Sequence, residues 1–405
     1  MWSVLAPWLA CRPAAVERPN LALIVVDTLR ADHLRTYGYA REVGLEVDAW
    51  ARGAAVFEDA TSHSPWTKPS VATLLTSLEP KDHGVVDWDR RLNRDFVTLQ
   101  SALGAAGYDT LAVVAHLAFD PDSNEFHHGW DQFDVSVWKG VGSPHLIATS
   151  DKVTDRALAG VEQSRGPWLL MAHYFDPHET YLERPKYPFG AREVDLYDAE
   201  VAATDAAIGR LLDGLPTNTV VALVADHGEE FGEHGGRAHT VTLYDEVLRV
   251  PWIVAGPGIQ PQRVPGRVGL VDLAPTLLER LGQPIPPPFK GRPVPFSDGR
   301  FTVEPRPVFS ETQRVKNRRS VVDGDYKAIL DLNTGTVELY NVAHDPGEAA
   351  DVASLRPKVV GRLEAELRAR ETDRWVVPSD VLGADEKELL EAMGYAMEPD
   401  QNSQQ

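Results

Sequence analysis

Side chains of the kind that bind metal ions follow three apolar runs of the sequence. The sets are Asp27 after Leu21–Val26; His173, Asp176 and His178 after Trp168–Ala172; and Asp226 with His227 after Thr219–Ala225. Such runs are typical of strands buried on both faces of a parallel sheet, whose carboxyl ends meet at one edge. Carboxylates and imidazoles together suit a hard or borderline divalent cation such as zinc, manganese or magnesium. The sequence therefore predicts a metal site at that edge.

A hydroxyl residue stands at the start of a predicted helix in the segment Ser64–Ser77. Pro69 suits the first helical turn, so Thr67 lies at the helix N-terminus, where free backbone N–H groups favour an anion. Beside a divalent cation, a hydroxyl in that place is an activated nucleophile. Without a cation nearby, the same threonine is simply a helix cap. The neighbouring Lys68 either pairs with a substrate anion or is an ordinary loop lysine.

The elements that position these residues follow from the alternation of apolar runs with helical patterns. Further strands are predicted at Thr110–Ala115 and Trp252–Ala255, and helices at Leu99–Ala106, Ala199–Leu212 and Leu270–Leu281. Strand and helix alternate over most of the chain, which predicts an α/β fold with a doubly wound, mostly parallel sheet.

Proline-rich sequence at Pro284–Pro295 marks a boundary, beyond which we expect a small C-terminal α+β subdomain. Its predicted elements are strands at Pro307–Glu311, Arg319–Val322, Tyr326–Leu330 and Val337–Tyr340 and a helix at Pro357–Ala369. We assign residues 20–295 to the α/β domain, 296–385 to the subdomain and 386–405 to a polar tail.

The composition of the 405-residue chain excludes several classes of protein. With 43% hydrophobic and 25% charged residues the chain is globular, and its formal charge of -20 argues against nucleic acid as a partner. No apolar run is long enough to span a bilayer. The single cysteine, Cys11, excludes an intramolecular disulfide and a zinc finger.

The segment 1–19 allows two interpretations. Its apolar start closes on Leu9, Ala10 and Cys11, which is similar to the end of a bacterial lipoprotein signal with Cys11 as the lipid-anchored residue. That interpretation predicts a location in the extracytoplasmic envelope, in the periplasm. The absence of Lys and Arg before Cys11 favours an incidental cysteine instead, with a cytoplasmic location as the alternative.

Taken together, these motifs resemble the sulfatase family of the alkaline-phosphatase superfamily over about residues 20–350. The resemblance rests on ordered segments: Val26–Asp32, Thr67–Ser70 with Leu75–Ser77, His173–His178, Asp226–Gly235, Leu243–Glu246, Asp323–Lys327, and Leu339–Asn341 with Asp345 and Pro346. It implies a divalent metal ion (zinc, manganese, magnesium or calcium) and an anionic ester substrate, such as a glycan, a lipid headgroup or a small molecule.

The resemblance also implies roles for individual residues. The metal ligands would be Asp27, Asp226 and His227, with Thr67 as the fourth ligand and the nucleophile. His178 and His239 would be catalytic, or would bind the substrate or a second metal together with Asp176 and Lys68. Asp176 could instead orient His178.

Two departures from the family pattern bear on the reaction. Members that cleave sulfate esters carry Cys or Ser at the nucleophile position, oxidised to formylglycine, and an Arg where this chain has Val71. Thr67 is a secondary alcohol and cannot become an aldehyde. The threonine is similar to that of the phosphodiesterases, phosphonate hydrolases and phosphotransferases of the superfamily. The chain is therefore expected to cleave phosphate, phosphonate or sulfate esters through a covalent Thr67 intermediate, with phosphotransfer or non-catalytic anion binding as alternatives.

Overall fold

The computed structural model describes residues 18–370 and confirms an α/β fold around one large sheet. The sheet contains β1 (Asn20–Val26), β2 (Ala55–Thr61), β3 (Asp109–Val114), β4 (Gln132–Asp134), β5 (Trp168–Tyr174), β6 (Thr219–Ala225), β9 (Arg249–Ala255) and β10 (Gln262–Gly269). Between β6 and β9 lies a short antiparallel pair, β7 (Glu230–Phe231) and β8 (Arg237–Ala238). The strand order is β10-β2-β9-β6-β1-β5-β3-β4.

All pairings in this sheet are parallel except those of β9, which runs antiparallel to both β2 and β6. The apolar run Trp252–Ala255 is thus a buried strand, as predicted, but it enters the sheet in the reverse direction. A continuous apolar run reports burial on both faces and carries no information about direction.

The helices of residues 18–370 are α1 (Leu45–Ala51), α2 (Thr67–Thr76), α3 (Pro80–His83), α4 (Leu99–Ala105), α5 (Ser150–Gln163), α6 (Glu193–Gly214), α7 (Asp245–Leu248), α8 (Leu273–Arg280) and α9 (Pro357–Ala369). Helices such as α4 and α5 pack on the large sheet and bury its apolar faces, whereas the last helix packs elsewhere. Helix α2 is buried along its whole length, which is unusual for a surface layer and places Thr67 inside the protein.

The three central strands carry the predicted metal ligands to one edge of the sheet. In the parallel register, Val26 at the end of β1 lies opposite Tyr174 of β5 and Ala225 of β6. Asp27 directly follows strand β1 and Asp226 directly follows strand β6, so the two residues lie side by side at the end of the sheet. This edge is the carboxyl edge, where ligands bind in open α/β sheets.

A second, antiparallel sheet confirms the predicted C-terminal subdomain. It contains β13 (Val308–Thr312), β14 (Arg318–Asp323), β15 (Tyr326–Asp331) and β16 (Val337–Asn341), and α9 packs against it. A small hairpin, β11 (Phe296–Ser297) with β12 (Arg300–Phe301), precedes it. The residue boundaries assigned to the two units stay a prediction, and the segment around Cys11 and the tail 386–405 lie outside the described residues.

Within residues 18–370 no helix combines the length and the apolar character that crossing a membrane requires.

Candidate metal centre and nucleophile

Three fully buried side chains converge where β1 and β6 end. They are Asp27, Asp226 and His227, and they each offer a donor atom within 4.8 Å of the other two. His227 Nε2 lies 3.4 Å from Asp27 Oδ1 and 3.6 Å from Asp226 Oδ2. Among residues 18–370 this is the one group of three acidic, imidazole or thiol side chains gathered so closely.

The hydrogen bonds of these three side chains leave the atoms that could bind a metal facing one another. His227 Nδ1 lies 2.9 Å from the carbonyl oxygen of Gly228, to which it donates, so Nε2 carries the lone pair. Both oxygens of Asp27 and Oδ2 of Asp226 are buried and accept no hydrogen bond from the described part of the chain. Burial, together with the charge of Asp226, raises the pKa of Asp27 well above its usual value. Two carboxylates and an imidazole lone pair in this arrangement fit a divalent cation, which would satisfy all three.

Thr67 lies beside the same group. It is the first residue of α2, and Trp66 occupies the cap position without a side-chain capping bond. Thr67 Oγ1 lies 3.2 Å from His227 Nε2. The hydroxyl thus points toward the potential metal-binding atoms of Asp27, Asp226 and His227. This position supports the assignment of Thr67 as fourth ligand and nucleophile, which itself stays a prediction.

His178 and His239 extend the group into a row of buried imidazoles. The ring of His239 has its centroid 4.6 Å from that of His227 and 4.8 Å from that of His178. His239 Nδ1 donates to Glu229 Oε1 at 2.8 Å, and His178 Nδ1 donates to the carbonyl of Glu179. Burial lowers the pKa of His239 to about 4 and that of His178 well below its usual value. The structure therefore brings these two predicted residues to the centre as neutral imidazoles.

Asp176 and Lys68 make their contacts elsewhere. Asp176 Oδ1 accepts from the N–H and the hydroxyl of Thr149 at 2.8 and 2.5 Å, and Arg184 lies 2.8 Å from Oδ2. Lys68 Nζ donates to the carbonyls of Trp88 and Arg90 at 2.6 and 2.8 Å, and burial lowers its pKa to about 7. These contacts support neither a metal-binding nor a substrate-binding role for Asp176 and Lys68.

Two further histidines face the second oxygen of Asp27. His116 Nε2 and His173 Nε2 lie 3.7 and 3.8 Å from Asp27 Oδ2. His116 Nδ1 accepts from the N–H of Ala118 at 2.7 Å, so its proton is on Nε2 and faces the carboxylate. His116 directly follows the apolar run that forms β3, just as Asp27 and Asp226 follow theirs. The criterion of a metal-binding residue after an apolar run would therefore also have selected His116.

Comparison with known proteins assigns this chain to a family. The sulfatase family profile matches residues 19–283, and the chain belongs to the sulfatase family. The chain is thus a sulfatase-type ester hydrolase.

The similar proteins of known sequence are sulfatases from bacteria and animals. The Delta 4,5-hexuronate-2-O-sulfatase of Bacteroides thetaiotaomicron is 24% identical over 88% of both chains. The arylsulfatase K of Canis lupus familiaris is 28% identical over 49% of this chain, which spans only 41% of that relative.

Among solved structures, a protein in complex with D-glucosamine-2-N,6-O-disulfate superposes with a TM-score of 0.75 at 18% identity. That match covers 88% of this chain and 99% of the other. A 2-O GAG sulfatase superposes with a TM-score of 0.71 at 22% identity, covering 90% and 95%. Likeness at this level of identity shows the fold.

Proposed function

We propose that this protein hydrolyses a phosphate or phosphonate ester, with Thr67 as the nucleophile beside one divalent cation. The observation that carries the proposal is the 3.2 Å separation of Thr67 Oγ1 from His227 Nε2, inside a group whose other members are Asp27 and Asp226. A hydroxyl that serves only as a helix cap would be turned toward the free N–H groups of α2 instead.

Asp27, Asp226, His227 and Thr67 would hold the cation. When bound, it would lower the pKa of the Thr67 hydroxyl and withdraw charge from the non-bridging oxygens of the ester. The start of α2 adds the positive end of a buried helix dipole on the same side.

The covalent step follows from the position of Thr67. Its hydroxyl passes its proton to the unprotonated Nε2 of a neutral imidazole, His178 or His239, while its oxygen forms a bond to phosphorus and the bond from phosphorus to the alcohol oxygen breaks. The imidazolium formed in this way returns the proton to the released alcohol. Water then attacks the same phosphorus, the bond to Thr67 breaks, and a proton restores the hydroxyl. An acceptor alcohol in place of water would make the same site a transferase.

Sulfate ester hydrolysis is the second candidate, because the similar sequences carry the names of sulfatases. Thr67 would then form a bond to sulfur by the same route. The formylglycine route is closed to a secondary alcohol.

The test is a panel of para-nitrophenyl esters (phosphate monoester, phosphate diester, phosphonate and sulfate) measured with and without a chelator. We expect Thr67→Ala to lose about 10³-fold or more in kcat against the preferred ester, as removal of a covalent nucleophile does. The chelator should abolish activity, and the added metal should restore it. Thr76→Ala is the matched control. Thr76 lies in the same helix, and its hydroxyl donates to the carbonyl of Ala72 at 2.6 Å and accepts from the N–H of Leu78 at 3.3 Å, both away from the centre.

Each outcome decides between the alternatives. Full activity of Thr67→Ala against every ester that the wild type cleaves would refute the covalent route. Cleavage of the sulfate ester alone would select the second candidate. A metal-loaded protein that cleaves none of the esters would leave the non-catalytic anion-binding alternative.

A further inference from the structure

Ser70 lies in the first turn of helix α2, three residues after Thr67, and its side chain bonds to another part of the fold. The hydroxyl donates to the backbone carbonyl of Asp226 at 2.5 Å, and both residues are fully buried. A serine at the start of a helix commonly bonds to the backbone of its own segment. The bond of Ser70 instead joins α2 to the segment that follows β6.

The carbonyl that Ser70 contacts belongs to the peptide group between Asp226 and His227, two of the proposed metal ligands. The N–H of the same peptide group, on His227, donates to Asp226 Oδ1 at 2.9 Å. Because a peptide group is planar, its carbonyl and its N–H turn together. The bond from Ser70 therefore also restrains the N–H that orients the Asp226 carboxylate.

Thr67 and Ser70 lie on the same face of α2, because residues three positions apart in a helix are neighbours on its surface. Thr67 Oγ1 lies 3.2 Å from His227 Nε2, while Ser70 bonds to the main chain of Asp226. Two side chains one helical turn apart thus contact the imidazole and the backbone of one ligand pair. Together these contacts define how the start of α2 lies against the metal-binding residues.

Ser70 is in contact with a second buried serine, Ser62, which directly follows strand β2. Ser62 Oγ lies 3.0 Å from Ser70 Oγ and 2.8 Å from the carbonyl of Ser64. The N–H of Ser62 donates to the carbonyl of Leu248 at 2.8 Å, and the hydroxyl of Ser310 in β13 donates to the carbonyl of Ser62 at 2.6 Å. The large sheet and the C-terminal sheet therefore both support the position of Ser70.

We propose that Ser70 is a positioning residue that sets the distance between the nucleophile and the metal. It does so by tying the first turn of α2 to the peptide group between Asp226 and His227. This inference rests on the proposed function. Ser70 would act through Thr67 and Asp226, without contacting the ester itself. Partners that orient metal ligands in this way typically change metal affinity or activity by about 10- to 100-fold.

The first measurement is the affinity of the metal-free protein for Zn²⁺, determined by titration in competition with a chromophoric chelator. We expect Ser70→Ala to bind Zn²⁺ about tenfold more weakly than the wild type, because the Asp226 carboxylate and the Thr67 hydroxyl lose their fixed positions. This readout does not depend on turnover.

Ser77→Ala is the matched control. Ser77 directly follows α2, is fully buried, and also donates its hydroxyl to the carbonyl of a distant segment, that of Val271 at 2.7 Å. The 10 residues of α2, about 15 Å of helix, separate Ser77 from the centre. Both variants lose the same group from equally buried positions. We therefore expect similar decreases in thermal stability, but a lower zinc affinity only in Ser70→Ala.

The second measurement is kcat and KM for the preferred para-nitrophenyl ester, at a saturating concentration of the metal that gives the highest activity. Ser70→Ala should lower kcat about tenfold with little change in KM, since a misplaced nucleophile slows the chemical step while the ester still binds. Ser77→Ala should keep both constants at the wild-type values.

Thermal unfolding verifies that each variant is folded. Ser70→Cys keeps a side chain of similar size but donates only weakly, so it should show the same losses and serves as the test if Ser70→Ala does not fold.

A zinc affinity or a kcat that the Ser70 variants leave unchanged overturns the proposal, and so does an equal decrease in Ser77→Ala. A wild type that binds Zn²⁺ but cleaves no ester contradicts the proposed hydrolytic function. The zinc affinities of the variants then still decide whether Ser70 positions the metal-binding residues.

Discussion

Glu229 is a buried carboxylate whose contact fixes the state of a neighbouring imidazole. Because His239 donates its Nδ1 proton to Glu229 Oε1 at 2.8 Å, the lone pair of its Nε2 is available to the centre. Burial raises the pKa of Glu229 to about 8, so Glu229 accepts this hydrogen bond as an ionised carboxylate only above that pH. We expect Glu229→Leu to lower kcat about 10- to 100-fold, as loss of such orienting partners does, while the metal content stays at the wild-type level.

Glu229→Gln is the informative companion variant, because its amide oxygen can still accept the proton of His239. It should retain more activity than Glu229→Leu. Equal losses in the two variants, or loss of the metal in either, would show that Glu229 does not act by orienting His239. Steady-state kinetics and metal analysis of the purified proteins provide both measurements.

At the scale of single residues, the sequence identified side chains whose position follows directly from the ends of strands. Asp27 and Asp226 each follow an apolar run, and the parallel register brings them together. Asp176 also follows such a run, but its carboxylate is oriented by contacts with Thr149 and Arg184, which lie elsewhere in the sequence. No local pattern encodes such partners.

At the scale of elements, the carboxylate of Asp176 satisfies the start of helix α5. Its oxygens accept from the N–H groups of Thr149 and Ser150 at 2.8 and 3.2 Å, two donors at the helix N-terminus. Asp176→Ala should lower the free energy of unfolding by about 2 kcal/mol, since it leaves buried donors unpaired. Denaturant unfolding measures the difference.

Asp155→Ala is the control on the same helix. Asp155 forms an exposed ion pair with Arg210 at 2.8 Å, and such pairs contribute about 0–1 kcal/mol. If Asp176→Ala is no more destabilising than Asp155→Ala, Asp176 does not stabilise the start of α5.

The predicted elements were those with a continuous apolar signal. Helix α9 was predicted with the bounds that the structure has, and most strand runs agree to within about a residue or two, the usual uncertainty of strand and helix ends. Two elements begin earlier than predicted: β9 at Arg249 and not Trp252, and α6 at Glu193 and not Ala199. Strands β2 and β10 were not predicted, because β10 is an edge strand whose side chains are partly exposed and β2 contains acidic residues. A continuous apolar run, the signal used here, cannot mark a strand that is polar on one face.

At the scale of the whole molecule, a buried ion cluster joins the two units. Lys327 of β15 is fully buried, and its Nζ lies 2.7 Å from Asp245 of α7 and 2.9 Å from Glu348. Lys327→Met should lower the free energy of unfolding by about 3–5 kcal/mol, because it leaves two carboxylates buried without their cation. Chemical denaturation followed by tryptophan fluorescence measures this change.

Lys358→Met makes the same substitution at an exposed position of α9 and should change stability by less than about 0.5 kcal/mol. Wild-type stability of Lys327→Met would mean that the cluster does not hold the units together. The sequence predicted the subdomain but not this junction, since its contacts join residues as much as 82 positions apart.

The strand that supports the nucleophile comes late in the chain. The Ser310 hydroxyl donates to the carbonyl of Ser62, 248 positions earlier in the sequence. The loop before Thr67 therefore lacks this hydrogen bond until the C-terminal sheet has formed. During translation, every residue proposed to bind the metal is thus synthesised before the strand that supports the loop of Thr67. We expect hydrolytic activity only after the C-terminal strands have been added.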